Sequence, residues 1–402
     1  MSDDRIGATS SRQTLPALFW RFLRFGMLAW GGPVAQIAMI KRELVDEEKW
    51  ISPSKFNRLL AVYQILPGPE AHELCVHFGM LKGKRLGGFV AGLGFMLPGL
   101  VLVLGLAWLY QRLDFDQPIV AALLTGLQIG VIALIVRALH RIAGHALGNG
   151  VLWTMAIASA ALTWQGLSFW ILLPLAGLIA ATVKDWRIAA LLAVSAIVLV
   201  AMMPVSPFAG FSSSAHESPT QAPASASLLA LFLSGLKAGL LTFGGAYTAI
   251  PFIRDDVVGR GWLSESQFLD SIALSSIIPA PLVIFATFVG FVAAGLGGAL
   301  AMTAGMFLPA FAFTLLFYDQ LERVIEDSRL HGFLEGVAAG VVGLIAVTAF
   351  ELAWALARSI PALLPAILIF AAALGCLIYS RSRIAVPAVV VGTALAGVVA
   401  FT

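Results

Sequence analysis

Residues 59–80 read LLAVYQILPGPEAHELCVHFGM. The run is apolar enough to enter a bilayer, which an α-helix crosses with about twenty such residues. At its middle stands Leu66-Pro67-Gly68-Pro69, and directly after it come Glu70, His72, Glu73 and His77. Proline removes a backbone donor and clashes with the preceding turn, so a Pro-x-Pro in mid-run ends one half-helix and starts another. Unwound backbone at membrane depth is tolerated only inside protein or beside a water-filled cavity. One stretch therefore implies a membrane, a broken helix within it, and protein packed around the break.

The rest of the chain agrees. Of its 402 residues, 59% are hydrophobic and 12% charged, against about 25% charged in soluble domains. Apolar segments lie near 20–40, 59–80, 87–110, 118–136, 148–165, 168–183 and 188–204. A second set lies near 228–252, 268–292, 294–318, 331–357, 360–379 and 384–402. The expected fold is an all-α polytopic membrane protein of about 13 hydrophobic segments, each satisfying its own backbone hydrogen bonds. Residues 1–17 are polar, lack the apolar core of a signal peptide, and read as a cytoplasmic tail. The net charge is +3, with Lys and Arg dispersed among short loops; this is topology signalling rather than a nucleic-acid stripe. Cys75 and Cys376 both fall in apolar segments, so neither a disulfide nor a metal framework is expected. No cofactor is expected either.

From Pro204 to Ser227 the chain is rich in Ser, Pro and Ala and has no Lys or Arg. It reads as a linker outside the cytoplasm, covering 205–227 and joining membrane repeats 18–204 and 228–402. The repeats share an ordered series of landmarks. Trp30-Gly31-Gly32 matches Phe243-Gly244-Gly245, and Trp50, Ser52, Ser54 and Phe56 match Trp262, Ser264, Ser266 and Phe268. Leu66-Pro67-Gly68-Pro69 matches Ile278-Pro279-Ala280-Pro281, Gly87-Gly88 matches Gly297-Gly298, and Leu97-Pro98 matches Leu308-Pro309. The number of segments before the second repeat is odd, so the halves enter from opposite sides, the inverted-repeat plan of many secondary transporters. With the N-terminus cytoplasmic, Lys82, Lys84, Arg85, Arg137, Arg141, Lys184, Arg187, Arg323, Arg329, Arg381 and Arg383 collect on that side. Lys41, Arg42, Lys49, Lys55 and Arg58 join them only if 20–40 and 59–80 are re-entrant hairpins. Both crossing and re-entrant forms preserve the inversion.

The new half-helix after each break presents free N–H groups and the positive end of its dipole, a ready anion site. The candidate anion-binding residues are Gly31, Gly32, Pro33, Pro67, Gly68, Pro69, Thr242, Gly244, Gly245, Ser276, Pro279 and Pro281. The cations Lys41, Arg42 and Arg85 follow the broken segments. Ionisable residues inside such a segment are costly and read as functional; Glu70, His72, Glu73 and His77 are the candidates for coupling to protons. Leu282 stands at the counterpart of Glu70, so the repeat itself does not need that charge. Lys237 sits in an apolar stretch and reads as snorkelling to the interface. Trp50 and Trp262 open stretches that read as amphipathic interfacial elements. An intramembrane zinc protease is the rival reading of His72-Glu73-Leu74-Cys75-Val76-His77. Its motif requires histidines four apart; five apart turns them by about 140° around the helix.

Trp30-Gly31-Gly32-Pro33, Leu66-Pro67-Gly68-Pro69-Glu70-Ala71, Gly87-Gly88 and Phe95-Met96-Leu97-Pro98-Gly99 resemble the chromate ion transporter family. The second half matches through Thr242-Phe243-Gly244-Gly245, Pro279-Ala280-Pro281 and Phe307-Leu308-Pro309. The resemblance implies a multi-pass protein of the bacterial inner membrane that exports chromate and confers resistance, and not an enzyme. A related tetrahedral oxyanion such as sulfate is the alternative substrate, and a homodimer is compatible with the plan. Where Pro33, Gly68 and Glu70 become Ala246, Ala280 and Leu282, the second half departs from the pattern; polar coupling chemistry is therefore expected in the first half. The second half would add the hydroxyls of Thr242, Tyr247, Thr248, Ser275 and Ser276.

Overall fold

A computed structural model of the chain describes residues 13–115, 117–202, 226–243, 245–325, 328–380, 382 and 384–402. Most of the 1–17 tail and of the 205–227 linker, with Gly244, Arg381 and Arg383, lie outside the described residues, as do the side chains of Arg323 and Arg329. Every regular element among those described is helical. The first half contains α1 (Leu15–Met27), α2 (Gly32–Ile40), a π-helical turn (Lys41–Glu47), α3 (Pro53–Ile65), α4 (Glu70–Tyr110), α5 (Pro118–Ala146), α6 (Gly150–Trp164), α7 (Phe169–Thr182) and α8 (Trp186–Met202). The second contains α9 (Leu228–Leu240), a 3-10 turn (Ala246–Thr248), α10 (Ala249–Val257), α11 (Glu265–Ser276), a 3-10 turn (Leu282–Ile284), α12 (Phe285–Ile325), α13 (Ser328–Ser359), α14 (Leu363–Tyr379) and α15 (Ala385–Phe401). Glu70–Tyr110, Pro118–Ala146, Leu282–Leu316 and Gly332–Ser359 are long and apolar enough to cross a membrane.

The expected segments 20–40, 59–80, 228–252 and 268–292 are each two helices, divided at the Gly-Gly or Pro-x-Pro break. Gly31 and Gly32 carry the first division at φ 89° and 76°, values open to glycine because it lacks a Cβ. After the break the chain doubles back. Arg24 near the end of α1 pairs with Glu43 in the π turn, and Arg21, one turn earlier, pairs with Glu48. Glu48 also accepts the indole N–H of Trp50 at 2.8 Å. Burial opposes ionisation here, yet the bonds from Arg21 and Trp50 hold the Glu48 carboxyl below its ordinary range. Trp50 is 6% exposed and has the Lys82 ammonium 4.5 Å from its ring centre. It is thus a covered anchor rather than an interfacial side chain, because the turn around 82–84 folds over it. The first serines after Trp50 and Trp262 are helix caps. Ser52 Oγ accepts from the Lys55 N–H, and Ser264 forms a reciprocal capping box with Gln267, the arrangement that satisfies two orphan donors of a helix start.

α4 is likewise two arms, 70–82 and 85–110, joined by a reversal at Gly83 and Lys84. The arms lie so close that a Cβ on Gly79 would collide with the Gly87 carbonyl. α12 repeats the device, with Ala294 and Gly295 at its reversal and Gly290 against Gly298. Hence Gly87 corresponds to Gly298, one residue from the register expected above. The same recurrence reaches the side chains. Gly26 of α1 packs on Phe95 and Pro98, and Gly239 of α9 packs on Met306 and Pro309. Arg24–Glu43 is answered at corresponding positions by Lys237–Asp256 at 2.7 Å. Lys237 is therefore held by an ion pair in addition to any apolar contact of its stem.

The halves interlock through small residues. A side chain at Gly126 of α5 would strike Thr393 and Gly397 of α15, and one at Gly343 of α13 would strike Ala156 of α6. Helices in lipid gain little from the hydrophobic effect and associate through such close backbone approach.

The two reversals, Gly83-Lys84 and Ala294-Gly295, place different residues at their second, positive-φ position. Gly295 adopts φ 62°, ψ −155°, and Lys84 adopts φ 54°, ψ −157°. That region is essentially restricted to glycine and costs another residue about 1–3 kcal/mol. Lys84→Gly is expected to raise the midpoint of thermal unfolding in detergent. An unchanged or lower midpoint would show that Lys84 gains more from its surroundings than its backbone loses.

Candidate functional site

The four breaks meet. The Gly68 N–H donates to the Thr242 carbonyl at 2.9 Å, joining the second break of one half to the first break of the other. Gln36, 1% exposed, completes the reciprocal connection: its Nε2 donates to Ala29 O at 2.9 Å and to Ala280 O at 3.2 Å. Each half thus supplies partners for main-chain groups that the other half's break leaves unpaired.

Beside this crossing lies a cavity of about 60 Å³. A water needs roughly 10–15 Å³ on the same measure, so the space admits several waters or one small polyatomic ion. Gly31, Gly32 and Pro33 at the start of α2 line it, with Gly245, Ala246 and Tyr247 from the matching break. Ser275, Ser276, Ile278, Ala280 and Leu282 come from the end of α11 and the Pro-x-Pro segment. The remaining wall is one face of α5, with Leu134, Arg137, Ala138, Arg141 and Ile142, at the three- and four-residue spacing that shares a helical face. Val386 and Pro387 at the start of α15 complete it. Arg137 is half-buried in the wall and Arg141 is exposed.

Several donors converge, and among the described residues no carboxylate lines the cavity. The Ser275 hydroxyl is buried and bonds to nothing among the described residues. Ser276 donates to Ala273 O at 2.7 Å, Thr248 to Gly245 O at 2.7 Å, and Thr242 to Ala238 O at 2.6 Å. Those three hydroxyls are engaged in holding the breaks, whereas Ser275 has a free hydroxyl among the described residues and lines the cavity with Tyr247, Arg137 and Arg141. Arg is suited to oxyanions because its planar fork matches two oxygens at once. The chemistry open to such a site is reversible binding of a small anion.

The candidates from sequence divide accordingly. Gly31, Gly32, Pro33, Gly245 and Ser276 line the cavity, while Pro67, Gly68, Pro69, Thr242, Pro279 and Pro281 are buried behind it, shaping the breaks. Gly244 lies outside the described residues. Lys41, Arg42 and Arg85 do not line the cavity; Arg42 and Arg85 are exposed, and Arg42 stands 3.8 Å from Glu47. Those cations follow their breaks in sequence, but the chain doubles back and carries them away from the site. Arg137 and Arg141, read only as topology signals, supply the positive charge instead. Their i,i+4 spacing with Leu134, Ala138 and Ile142 was the available signal.

Glu70 is 8% exposed at the first position of α4 and interacts electrostatically with Arg141 and His145. Glu73 is fully buried beneath Gly68, and among the described residues neither of its oxygens has a hydrogen-bond donor. His72 is enclosed by Phe307 and Phe311, with ring centres 5.0 and 4.7 Å away, and His77 packs beside Tyr63 and Phe78. The two histidines therefore address different surroundings. Among the described residues no group of three or more His, Cys, Asp or Glu stands together to hold a metal.

Broken helices meeting around a cationic cavity inside an apolar, all-helical chain define a membrane transporter. The family model described as "Chromate transporter" matches residues 16–215 and again 229–398. The chain belongs to that family, and each half matches its model separately. It is 54% identical to a chromate transport protein of Pseudomonas aeruginosa, over 100% of this chain and 96% of that one. It is 30% identical to a chromate transport protein of Cupriavidus metallidurans, covering 98% and 95% of the two chains. A probable chromate transport protein of Synechococcus elongatus is 29% identical over 92% and 96%. No solved structure matches the chain.

Replacing Gln36 by Leu would leave the Ala29 and Ala280 carbonyls without their shared donor. Loss of a buried partner costs about 1–3 kcal/mol, so Gln36→Leu is expected to unfold at a lower temperature in detergent. A wild-type midpoint would mean that other groups satisfy both carbonyls.

Proposed function

We propose that the chain carries chromate outward across the bacterial inner membrane, conferring chromate resistance, and that the cavity between the breaks is the anion site. One observation carries this reading: Arg137, Arg141, Tyr247 and the unengaged Ser275 hydroxyl converge where helix starts from both halves meet. Positive helix ends and guanidiniums together suit a tetrahedral dianion. The names of the relatives, which cover nearly the whole chain, support chromate as the cargo.

The proposed organisation is a cytoplasmic tail (1–17), repeat one (18–204), a periplasmic linker (205–227) and repeat two (228–402), the repeats inverted. The re-entrant form of the first two segments is favoured over the crossing form. Arg21–Glu48, Arg24–Glu43 and Lys82 over Trp50 bring residues 43–50 and 82 to the level of α1, which returns Lys41, Arg42 and Lys49 to the positive side. The arm 85–110 then crosses, and α5 returns to end at Arg141. The cavity mouth at Arg141 accordingly faces the cytoplasm, the side from which an exporter loads.

Glu70 is proposed as the coupling group. A dianion near Arg141 and an ionised Glu70 repel by a few kcal/mol at an effective dielectric of about 20. Proton and anion therefore favour each other's binding, and linkage makes the effect reciprocal. Glu73, His72 and His77 form the buried surroundings of that helix start.

Radiolabelled chromate flux in proteoliposomes, with sulfate competition and imposed pH and voltage gradients, tests the assignment. Arg137→Gln is expected to weaken chromate binding by about 10–100-fold, the worth of one charge-assisted bond. Binding at wild-type strength would remove the anion from this cavity. Glu70→Gln, which mimics the neutral acid, is expected to retain chromate binding, flatten its pH dependence and reduce uphill transport. An unchanged pH profile would leave Glu70 a helix-capping carboxylate only.

A further inference from the structure

A second polar cluster is buried away from the cavity, and the transport reading above makes no use of it. Asp270 of α11 is 1% exposed. Its Oδ2 accepts the Tyr110 hydroxyl at 2.7 Å, and its Oδ1 accepts Gln128 Nε2 at 2.8 Å. The same Gln128 nitrogen donates to Ser266 Oγ at 2.8 Å. Phe115 and Phe288 close edge-on over Tyr110, with ring centres 5.1 and 5.2 Å away. Tyr110 and Gln128 belong to the first half, Ser266 and Asp270 to the second. The cluster has no counterpart in the repeat, where the position matching Asp270 is the exposed Arg58.

Its location follows from two helices that also line the cavity. On α5, Gln128 precedes the first lining residue, Leu134, by six positions, about 9 Å at 1.5 Å per residue. On α11, Asp270 precedes Ser275 by five positions, about 7.5 Å. Both helices run from the cluster to the cavity, and α5 continues to the open end at Arg141. The cluster therefore stands on the far side of the cavity, between it and the face where α5 and α11 begin.

We propose that the Asp270–Tyr110–Gln128–Ser266 cluster is the seal that closes the anion cavity toward that far face, with Asp270 as its positioning residue. The inference rests on the cavity being the anion site. Alternating access requires the halves to rock about such a site, and these bonds tie one half to the other on the closed side. Opening that side means parting Tyr110 and Gln128 from Asp270. When the bonds re-form after release, the mouth at Arg141 is again the open one.

The test uses the full chain in membranes, with Ala138→Cys on the cavity wall as reporter and Cys376→Ser as background; Cys75 is fully buried. An impermeant maleimide is applied from each face separately, and chromate protection of the reporter is recorded. In the parent, labelling is expected to be fast from the Arg141 face, slow from the far face, and slowed by chromate. Tyr110→Phe and Asp270→Ala are expected to raise labelling from the far face alone by about tenfold or more, the population change that 1.4 kcal/mol produces. Tyr110→Phe keeps the shape of the ring and decides the matter if Asp270→Ala does not fold. Wild-type labelling in Tyr110→Phe, or an equal rise from both faces, overturns the seal. Absence of chromate protection in the parent would instead strike the cavity as the anion site.

Discussion

A main-chain amide or carbonyl inside a membrane must have a partner, and this protein breaks four helices at depth. The breaks are viable because each finds its partner in the other half. Gly68 N–H reaches the Thr242 carbonyl, and Gln36 spans Ala29 and Ala280. Each lost bond would leave a buried main-chain group unsatisfied, at a cost of about 1–3 kcal/mol. The crossing thus fixes where the halves meet, and the meeting point fixes where the cavity lies. Fold and site rest on one accounting of backbone hydrogen bonds.

That constraint also explains the distribution of small residues. The breaks converge only if neighbouring helices approach to backbone contact, and Gly26, Gly94 and Gly99 permit it around α1 and α4, as Gly235, Gly239 and Gly305 do around α9 and α12. The same economy holds at the α5–α15 and α13–α6 contacts. Ion pairs at corresponding positions then tie each returning segment to the helix before it. The Arg24–Glu43 and Lys237–Asp256 pairs hold α1 and α9 against the segments that follow their Gly-Gly breaks. A site built from short helix starts gains rigidity from such ties.

Much of this was legible in sequence because its causes are local. Gly31-Gly32 and Pro67-Gly68-Pro69 interrupt a helix wherever they occur, and their recurrence around 244–245 and 279–281 reveals the repeat without any knowledge of packing. The division of α4 near residue 83 was legible too, from the polar Lys82-Gly83-Lys84-Arg85. What could not be read was which cations face inward. Lys41, Arg42 and Arg85 adjoin the breaks in sequence, but hairpins return them to the surface. Arg137 and Arg141 are remote in sequence and near in space, and a positive residue at the end of a spanning helix is already expected for topology. Trp50 posed the same difficulty: an indole beside charged residues reads as interfacial until the turn that buries it is known. Contacts made by chain reversal and by the other half carry no local mark.

The repeat is faithful in backbone and unfaithful in charge, and that difference has a physical use. In transporters built on inverted repeats, a two-fold copy gives two equivalent frames for motion about a central site. In such a frame copied polar groups would make the two sides alike, and uncopied ones make them differ. Here Glu70 has Leu282 as its counterpart, and the buried Asp270 has the exposed Arg58. Among the described residues, the arginines in the cavity wall are those of α5, one toward the mouth and one inside. The repeated scaffold and the unrepeated ionisable side chains are thus separate features of the chain. Since a ligand shifts an equilibrium only by its differential affinity for two states, under the coupling proposed above it is at these few side chains, and not at the repeated glycines and prolines, that anion and proton binding can tell one side from the other.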